Sequence, residues 1–267
     1  MTALSAEARS AEVAEELWAG IEWSGVSRVA AALALRPNLA ELRDAQCMTP
    51  MLFAVSRAQS EDGLAVAKMI FEAGGHLGDE DLTGWGAAEW AANSGTLALE
   101  WLMAQGVSLN LPSKDRGMTP FLLAVELGQS QCAKWLAQRA GANKDALGAD
   151  GLGAMHIAAQ EGHVPMGKAL VELGVDIDAP DCSGRTPLII ALKNANLRFG
   201  RWLLDRQADV GPRSSDGLSA LDWAERSAMA REVLGPMIAD RARAQEERRE
   251  LSLLIDPAAE SPERSWL

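Results

Sequence analysis

The feature that most limits how this chain can fold is a two-residue helix start that recurs at a nearly constant spacing. The starts are Thr49-Pro50, Gly86-Ala87, Thr119-Pro120, Gly153-Ala154, Thr186-Pro187 and Ser219-Ala220. Successive starts lie 37, 33, 34, 33 and 33 residues apart, and each precedes apolar residues at the spacing of two short helices. A helix pair of about 30 residues cannot bury enough apolar surface alone. The sequence therefore predicts an array of stacked helix pairs.

Glycines at fixed offsets from the starts support this periodicity. A glycine stands two residues before five of the six starts: Gly84, Gly117, Gly151, Gly184 and Gly217. Before the first start, Cys47 occupies the same place. Nine residues after a start, glycine marks the turn between helices in three repeats, whereas Ala195 and Ala228 depart from the pattern. On these residues, and on loop segments such as GVDID at 174–178, the chain resembles the ankyrin-repeat family over roughly residues 15 to 235.

The resemblance implies an all-α ankyrin-repeat solenoid of about seven helix-turn-helix repeats, with β-hairpin finger loops and a C-terminal helix. In this family the glycine two before the start occupies a left-handed turn of the finger. We expect a flexible N-terminus at 1–10, an N-terminal capping repeat at 11–41 and ankyrin repeats at 42–235. A C-terminal helix at 236–255 and a disordered tail at 256–267 complete the prediction.

Charge and cysteine content limit the partner and the compartment. The net charge of −12 disfavours nucleic acid and anionic membranes, since both gain affinity from Lys and Arg. Cys47, Cys132 and Cys182 are widely spaced, which fits a reducing compartment. The N-terminus lacks the pattern of a signal peptide, and no stretch approaches the roughly 18 apolar residues of a membrane span. We expect a cytoplasmic protein whose partner is another protein.

No arrangement of residues in the sequence indicates catalysis. Three histidines are present, and the resemblance implies that His156 and His163 bond the backbone of turns. No phosphate-binding glycine motif occurs, and neither histidines nor cysteines stand at metal-ligand spacing. We expect no cofactor, no metal, no small-molecule substrate and no enzymatic activity. The competing class is an enzyme that carries ankyrin repeats, for which little sequence remains outside the array.

The candidate binding surface begins with the residue just before each start, here called the finger row. Its members are Met48, Trp85, Met118, Leu152, Arg185 and Leu218. The ends of the neighbouring first helices add a mixed polar rim: Arg57, Asn93, Glu126, Leu127, Gln160, Glu161, Lys193 and Arg226. An apolar row beside a polar rim is typical of a protein interface. The competing interpretation is that the Met and Leu residues pack against the next finger.

This surface predicts an adaptor or scaffold that binds a partner protein through the concave finger and inner-helix side. The alternative is a dedicated inhibitor or immunity-type protein for one target, which the charge of −12 favours if that target is basic. Two further points stay open. Trp90 and Trp223 belong either to the core or to the binding wall, and the last helix either caps the final repeat or docks a partner.

The capping assignment can be tested by truncation. Removing residues 1–41 should expose the inner face of the repeat that starts at Thr49, because each repeat is stabilised mainly by its neighbours. The truncated protein should aggregate and unfold at lower temperature, measured by size-exclusion chromatography and thermal denaturation. A monomer with an unchanged melting curve would refute the assignment.

Overall fold

The computed structural model describes residues 6–35, 37–39, 41–114 and 116–255. Side chains are described for residues 11 to 251 within these ranges. That part of the chain contains fifteen α-helices and no strand. Their bounds are α1 Ala6–Glu22, α2 Val26–Ala34, α3 Pro50–Ser56, α4 Glu61–Glu72, α5 Ala87–Ser94, α6 Thr96–Ala104, α7 Pro120–Glu126, α8 Ser130–Arg139, α9 Ala154–Glu161, α10 Val164–Glu172, α11 Pro187–Lys193, α12 Leu197–Asp205, α13 Ala220–Arg226, α14 Ala228–Val233 and α15 Gly235–Ile255.

The helices confirm the predicted all-α repeat architecture. They form seven pairs followed by α15, and six pairs begin at the predicted starts. At the N-terminus, α1 begins at Ala6, five residues before the expected start at Ala11, so it covers half of the segment predicted to be flexible. Residues 1–5 and the predicted tail at 256–267 lie outside the described residues. No helix among those described is both long and apolar enough to cross a membrane.

The chain forms two compact units, one ending at Ala154 and one beginning at Met155. We call the first helix of each pair inner and the second outer. In the first unit the inner helices α1, α3, α5 and α7 contact one another in succession, and so do the outer helices α2, α4, α6 and α8. In the second unit α10 contacts α12, α11 contacts α13, and α15 packs on both α13 and α14. Each unit therefore buries apolar helix faces between consecutive repeats.

Short polar side chains define where the inner helices begin. Thr49, Thr119 and Thr186 each accept a hydrogen bond from the backbone N–H three residues later, at 3.2, 3.3 and 3.5 Å. Gly86 has no side chain to serve as a cap. Instead, the Glu89 carboxylate reaches back to accept the Gly86 N–H at 3.0 Å. This contact supplies half of a capping box at a start that has no capping side chain.

The glycine two before each start adopts the predicted left-handed conformation. Gly84, Gly117 and Gly151 have φ of 74°, 61° and 75°. Cys47 occupies the equivalent place with φ of 57°, a conformation that costs energy for any residue with a Cβ. The first finger therefore keeps the turn geometry of the others in spite of its sequence.

An aspartate four residues before the finger row holds the finger turn closed in three repeats. Asp81 Oδ1 accepts the N–H groups of Thr83 and Trp85 at 2.8 and 3.0 Å, while the Asp81 N–H donates to the Trp85 carbonyl at 3.0 Å. Asp44 and Asp181 accept the equivalent pairs of N–H groups in their own fingers. These side-chain turns replace strand pairing, because they satisfy the same backbone donors.

Adjacent fingers are joined by backbone hydrogen bonds. In the first unit the Leu82 N–H donates to the Gln46 carbonyl, and the Ala149 N–H donates to the Arg116 carbonyl, both at 3.0 Å. In the second unit the Ser215 N–H donates to the Ser183 carbonyl at 2.8 Å. The position of each finger tip is thus fixed by the finger beside it.

The outer helices carry equivalent tryptophans that are packed differently. Trp135 is buried, and its Nε1 donates to Glu100, 35 residues earlier, at 3.1 Å. The residue 35 before Trp202 is Gly167, and the Trp202 Nε1 is buried without a partner among the described residues. A Cβ on Gly167 would lie 2.9 Å from Phe199 and from Trp202. The Trp202 ring has therefore taken the space of the missing side chain, and the polar contact is lost.

This packing predicts an unusual response to a glycine-to-alanine change. Gly167→Ala in the middle of α10 should normally add about 1 kcal/mol of helix stability. Here it should instead lower the free energy of unfolding by about 1–3 kcal/mol, because two aromatic rings must move. Gly235→Ala at the first residue of α15 is the control, since its nearest neighbour would be Arg231 Cγ at 3.9 Å. Denaturant unfolding measures both variants, and equal or greater stability of the Gly167 variant would contradict the packing described.

The finger aspartate predicts an acid-sensitive contribution to stability. Burial alone would raise the pKa of Asp181, but hydrogen bonds from the Arg185 side chain and from the N–H groups of Arg185 and Ser183 outweigh it and hold the pKa below its ordinary value. The carboxylate therefore stabilises the fold at neutral pH, and this contribution disappears as the pH falls through the lowered pKa. Asp181→Asn should reduce the free energy of unfolding by about 1.5–3 kcal/mol at pH 7.

Measuring unfolding as a function of pH checks the sign. The difference between Asp181→Asn and the unchanged protein should shrink below about pH 4, where the unfolded carboxyl becomes protonated. Asp205→Asn, at the exposed end of α12, is the control. A difference that stays constant down to the lowest accessible pH would show that the charge of Asp181 is not what stabilises the finger.

Candidate protein-interaction surface

The structure divides the finger row into buried and accessible members. Met48, Met118 and Leu152 are only 4%, 5% and 5% exposed, whereas Trp85, Arg185 and Leu218 are half-buried. Met118 packs toward the next finger, where its Sδ would lie 3.2 Å from a Cβ on Gly148. The packing interpretation therefore accounts for Met48, Met118 and Leu152. We remove these three from the candidate surface because their side chains lie inside the protein.

The residues assigned to the polar rim lie at the ends of the inner helices. Arg57, Leu127, Glu161, Lys193 and Arg226 are exposed. The remaining members are half-buried: Asn93, Glu126 and Gln160. In the first unit Glu126 is held by both terminal nitrogens of Arg116, at 2.8 and 3.2 Å. This bidentate pair uses one rim carboxylate within the chain itself.

Trp85 and Trp90 are two half-buried aromatic residues of the first unit whose rings contact each other, and we call them the tryptophan pair. Their ring centroids lie 5.1 Å apart with an interplanar angle of 65°, an edge-to-face arrangement. The Trp90 Nε1 donates to Asp81 Oδ2 at 3.0 Å, so the aspartate that closes the finger also orients this indole. Both residues are half-buried, so neither of the alternatives for Trp90, core or binding wall, describes it completely.

The equivalent residues of the second unit are engaged within the chain. Arg185 is paired with Asp181 at the base of its finger, with the guanidinium 23% exposed and the carboxylate 0% exposed. Arg226 lies over the Trp223 ring at 4.8 Å. The buried Trp223 Nε1 has no partner in the described part of the chain, and Ser214 stands where Trp90 has Asp81. A shorter side chain at the finger base thus leaves this indole without an acceptor.

The negative charge is concentrated toward the N-terminus. Residues 1–100 contain fifteen Asp or Glu against six Lys or Arg, a net charge of −9. Residues 101–255 contain nineteen acidic and eighteen basic residues, a net charge of −1. The first 100 residues of the chain, which include the tryptophan pair and belong to the first unit, therefore carry most of the negative charge. A field of this kind favours the approach of a cationic partner.

Buried titratable groups have structural rather than catalytic surroundings. Burial lowers the pKa of His156, and its Nε2 lies 3.0 Å from the Arg185 carbonyl, which confirms the predicted bond to a turn. Burial raises the pKa of the Cys132 thiol to about 11, so it is not a thiolate at neutral pH. Among the described residues, no group of three His, Cys, Asp or Glu side chains could hold a metal ion.

Sequence reasoning missed the role of the finger aspartates. Asp81 closes the turn and orients Trp90, and neither role was predicted from the sequence. The signal was present as an aspartate three residues before the left-handed glycine, in Asp81 to Gly84 and in Asp181 to Gly184. That spacing is typical of an aspartate that bonds the backbone N–H two residues ahead.

Comparison with known proteins identifies the family. The family model for ankyrin repeats (3 copies) matches residues 51–147 and 138–214, which together span more than half of the chain. The chain is 32% identical over 100 residues to mouse ankyrin repeat and SAM domain-containing protein 6, covering 37% of this chain and 11% of that protein. It is 37% identical over 78 residues to the NF-kappa-B inhibitor cactus of Drosophila yakuba, covering 28% of this chain and 16% of that protein.

A solved structure shows the same architecture. The crystal structure of the human ASB11 ankyrin repeat domain superposes with a TM-score of 0.68 at 23% sequence identity, covering 84% of this chain and 96% of that one. The chain spans only a small part of the two curated relatives, whereas it matches the solved repeat domain over nearly its full length. Ankyrin repeats are in general modules for protein–protein interaction. On the family match and the repeat geometry together, the chain belongs to the ankyrin-repeat family.

Proposed function

We propose that this chain is a non-enzymatic adaptor or scaffold that binds a partner protein through the finger and inner-helix side of its first unit. The observation that carries the proposal is the tryptophan pair, two half-buried indoles on a rigid finger and helix. Large aromatic side chains bury much area at little cost in conformational entropy, and they are enriched among the residues that dominate binding energy. Asn93, Arg57, Glu126 and Leu127 lie at the ends of α5 and of the inner helices that contact it, although Arg57 also lies over Phe53 and Glu126 is held by Arg116.

The polar residues of the second unit form a weaker candidate surface. Glu161 and Lys193 are exposed there and Gln160 is half-buried, but Arg185 is paired with the fully buried Asp181 carboxylate and Arg226 lies over Trp223. Breaking such contacts would cost part of the binding energy. We therefore place the principal contact on the first unit and assign these residues a secondary role.

A second candidate function is a dedicated inhibitor of one basic target protein. Two observations favour it: the net charge of −9 in residues 1–100, and the similarity to a protein named as an NF-kappa-B inhibitor. Acidic surfaces speed association with basic partners and make binding sensitive to salt. A tight one-to-one complex that weakens strongly with added salt would distinguish an inhibitor from a loose scaffold.

We also propose that the protein acts in the cytoplasm and that its partner is neither nucleic acid nor a membrane surface. Cys47, Cys132 and Cys182 are widely spaced in the sequence, and Cys47 and Cys182 are exposed, which suits a reducing compartment. The net charge of −12 would repel phosphate backbones and anionic lipid. Both statements support a protein partner.

The proposed surface predicts that Trp85→Ala weakens partner binding about tenfold or more, because truncating a central aromatic anchor costs about 2 kcal/mol. The partner would be identified by affinity capture and mass spectrometry, and its Kd then measured with purified proteins. Trp23→Ala is the matched control, since Trp23 is 77% exposed in the cap of the same unit. It should leave affinity unchanged.

Met118→Ala tests the division of the finger row. Removing this buried side chain should lower the free energy of unfolding by about 2–5 kcal/mol, while the folded fraction binds the partner normally. If Trp85→Ala binds as tightly as the unchanged protein, the proposed surface is wrong. If Met118→Ala weakens binding without loss of stability, Met118 must be returned to the surface.

A further inference from the structure

We propose that the tryptophan pair binds an arginine side chain from a basic segment of the partner protein. The inference rests on the proposed function and deepens it, since it states the chemistry that the surface recognises. It arises from a comparison of equivalent positions within the repeats.

Four residues after a start, three inner helices carry an aromatic residue, and two of these are covered by an arginine of the same helix. The Arg57 guanidinium lies over the Phe53 ring, 5.2 Å from its centroid, and that of Arg226 lies over Trp223 at 4.8 Å. The third aromatic residue is Trp90. Among the described residues no arginine or lysine lies over it, because its helix has Asn93 and Ser94 where the others have arginine.

Ser94 carries no charge, and its hydroxyl is used in backbone contacts. Its hydroxyl lies 2.9 Å from the Val55 carbonyl and 2.8 Å from the Trp90 carbonyl and shares its one proton between these two acceptors. The Trp90 ring therefore lacks the arginine that covers the equivalent ring in two other repeats, and a cation of the partner protein can occupy that place. Attraction between a guanidinium and an indole face is worth about 0.5–1 kcal/mol when exposed, and more as the site is desolvated; that range corresponds to about two- to fivefold in affinity.

The pair is held in place before any ligand arrives. Asp81 fixes Trp85 through its backbone N–H and Trp90 through its Nε1, at 3.0 Å in both cases. The edge of one indole meets the face of the other, so the two rings form a corner rather than a flat surface. A site already ordered in the free protein loses little conformational entropy on binding.

The charges around the pair favour a cation. Residues 69–113 contain six acidic residues and no Lys or Arg. Two of these acids are paired with neighbouring fingers, Asp79 with Arg43 at 3.6 Å and Glu80 with Lys114 at 2.8 Å. Burial and the nearby Glu80 and Asp81 raise the pKa of Glu89, consistent with a locally negative potential. The potential of the first unit therefore attracts a positive group to the tryptophan pair.

Arginine fits the site better than lysine. A planar guanidinium stacks on an aromatic face and is weakly hydrated, whereas an ammonium is compact and strongly hydrated. All three cations that lie over aromatic rings in the described part of this chain are arginines, including Arg206 over Trp202 at 4.4 Å. The partner segment should accordingly present arginine, with neighbouring apolar residues to meet the rim.

The direct test uses the full chain and short Gly/Ser peptides that carry spaced arginines. Indole N–H signals in a proton–nitrogen NMR spectrum, assigned by single Trp replacements, should shift for Trp85 and Trp90 as the arginine peptide is added. Trp23 serves as the internal reference. The matched citrulline peptide, which keeps the shape and loses the charge, should cause no shift, and the lysine peptide should bind about threefold or more weakly. Absent shifts, or equal shifts with citrulline or with lysine, would overturn the assignment.

A second variant tests the site by placing an arginine of the chain itself next to the Trp90 ring. Asn93→Arg places an arginine three residues after Trp90, the spacing at which Arg226 covers Trp223. It should weaken binding of the arginine peptide and of the captured partner about tenfold, while thermal stability stays equal or rises, since a cation in the last turn of α5 is favourable. Gln105→Arg, exposed at the end of the outer helix α6, adds the same charge elsewhere and should weaken binding less than threefold.

The two variants separate this inference from the proposed function. If Trp85→Ala releases the partner but Asn93→Arg does not, the surface is correct and the arginine site is wrong. If Trp85→Ala has no effect on the partner, the proposed surface itself fails. Equal weakening by Asn93→Arg and Gln105→Arg would show general electrostatic repulsion, which overturns the specific site.

Discussion

No helix pair in this protein can bury its apolar face by itself, and the rest of the structure depends on that limit. Within each unit, inner helices contact inner helices and outer helices contact outer helices of the next repeat. The environment of a side chain is therefore decided by the residue at a fixed distance along the sequence in the neighbouring repeat. Trp135 finds Glu100 at that distance, and Trp202 finds Gly167, so one indole is hydrogen-bonded and its equivalent is packed against a backbone.

The fingers solve a second problem, the satisfaction of backbone donors in loops that form no strands among the described residues. A single aspartate oxygen accepts two of these donors, which leaves the second carboxylate oxygen for another contact. In the second finger that oxygen holds Trp90, and in the fifth it holds Arg185. The side chain that stabilises the turn thus also fixes the orientation of a second side chain in the same repeat.

Much of the fold could be predicted because the periodicity reports backbone geometry directly. The helix starts follow from residue types at fixed offsets, and the resemblance to the ankyrin family implied the left-handed positions and the bond of His156 to a turn. The depth of burial could not be predicted in the same way. Met118 and Trp85 occupy equivalent positions, yet one packs toward Gly148 and the other remains half-exposed, because the outcome depends on the size of residues in an adjacent finger. The start of α1 was also missed, since its first turn carries no clear apolar periodicity.

Repeat proteins make it possible to separate what maintains the fold from what distinguishes one molecule from another. Positions that agree among repeats, such as the capping threonines and the left-handed glycines, serve the common architecture. Positions at which the repeats carry different residues are not required for that architecture. An aromatic residue covered by an arginine of its own helix in two repeats has a structural partner already. The same position in the repeat of Trp90 has no such arginine, lies beside a second tryptophan and belongs to the most acidic part of the chain, and these observations support the proposed arginine site. Asn93, which stands where the repeat of Trp223 has an arginine, therefore supports the proposal as much as the two tryptophans do.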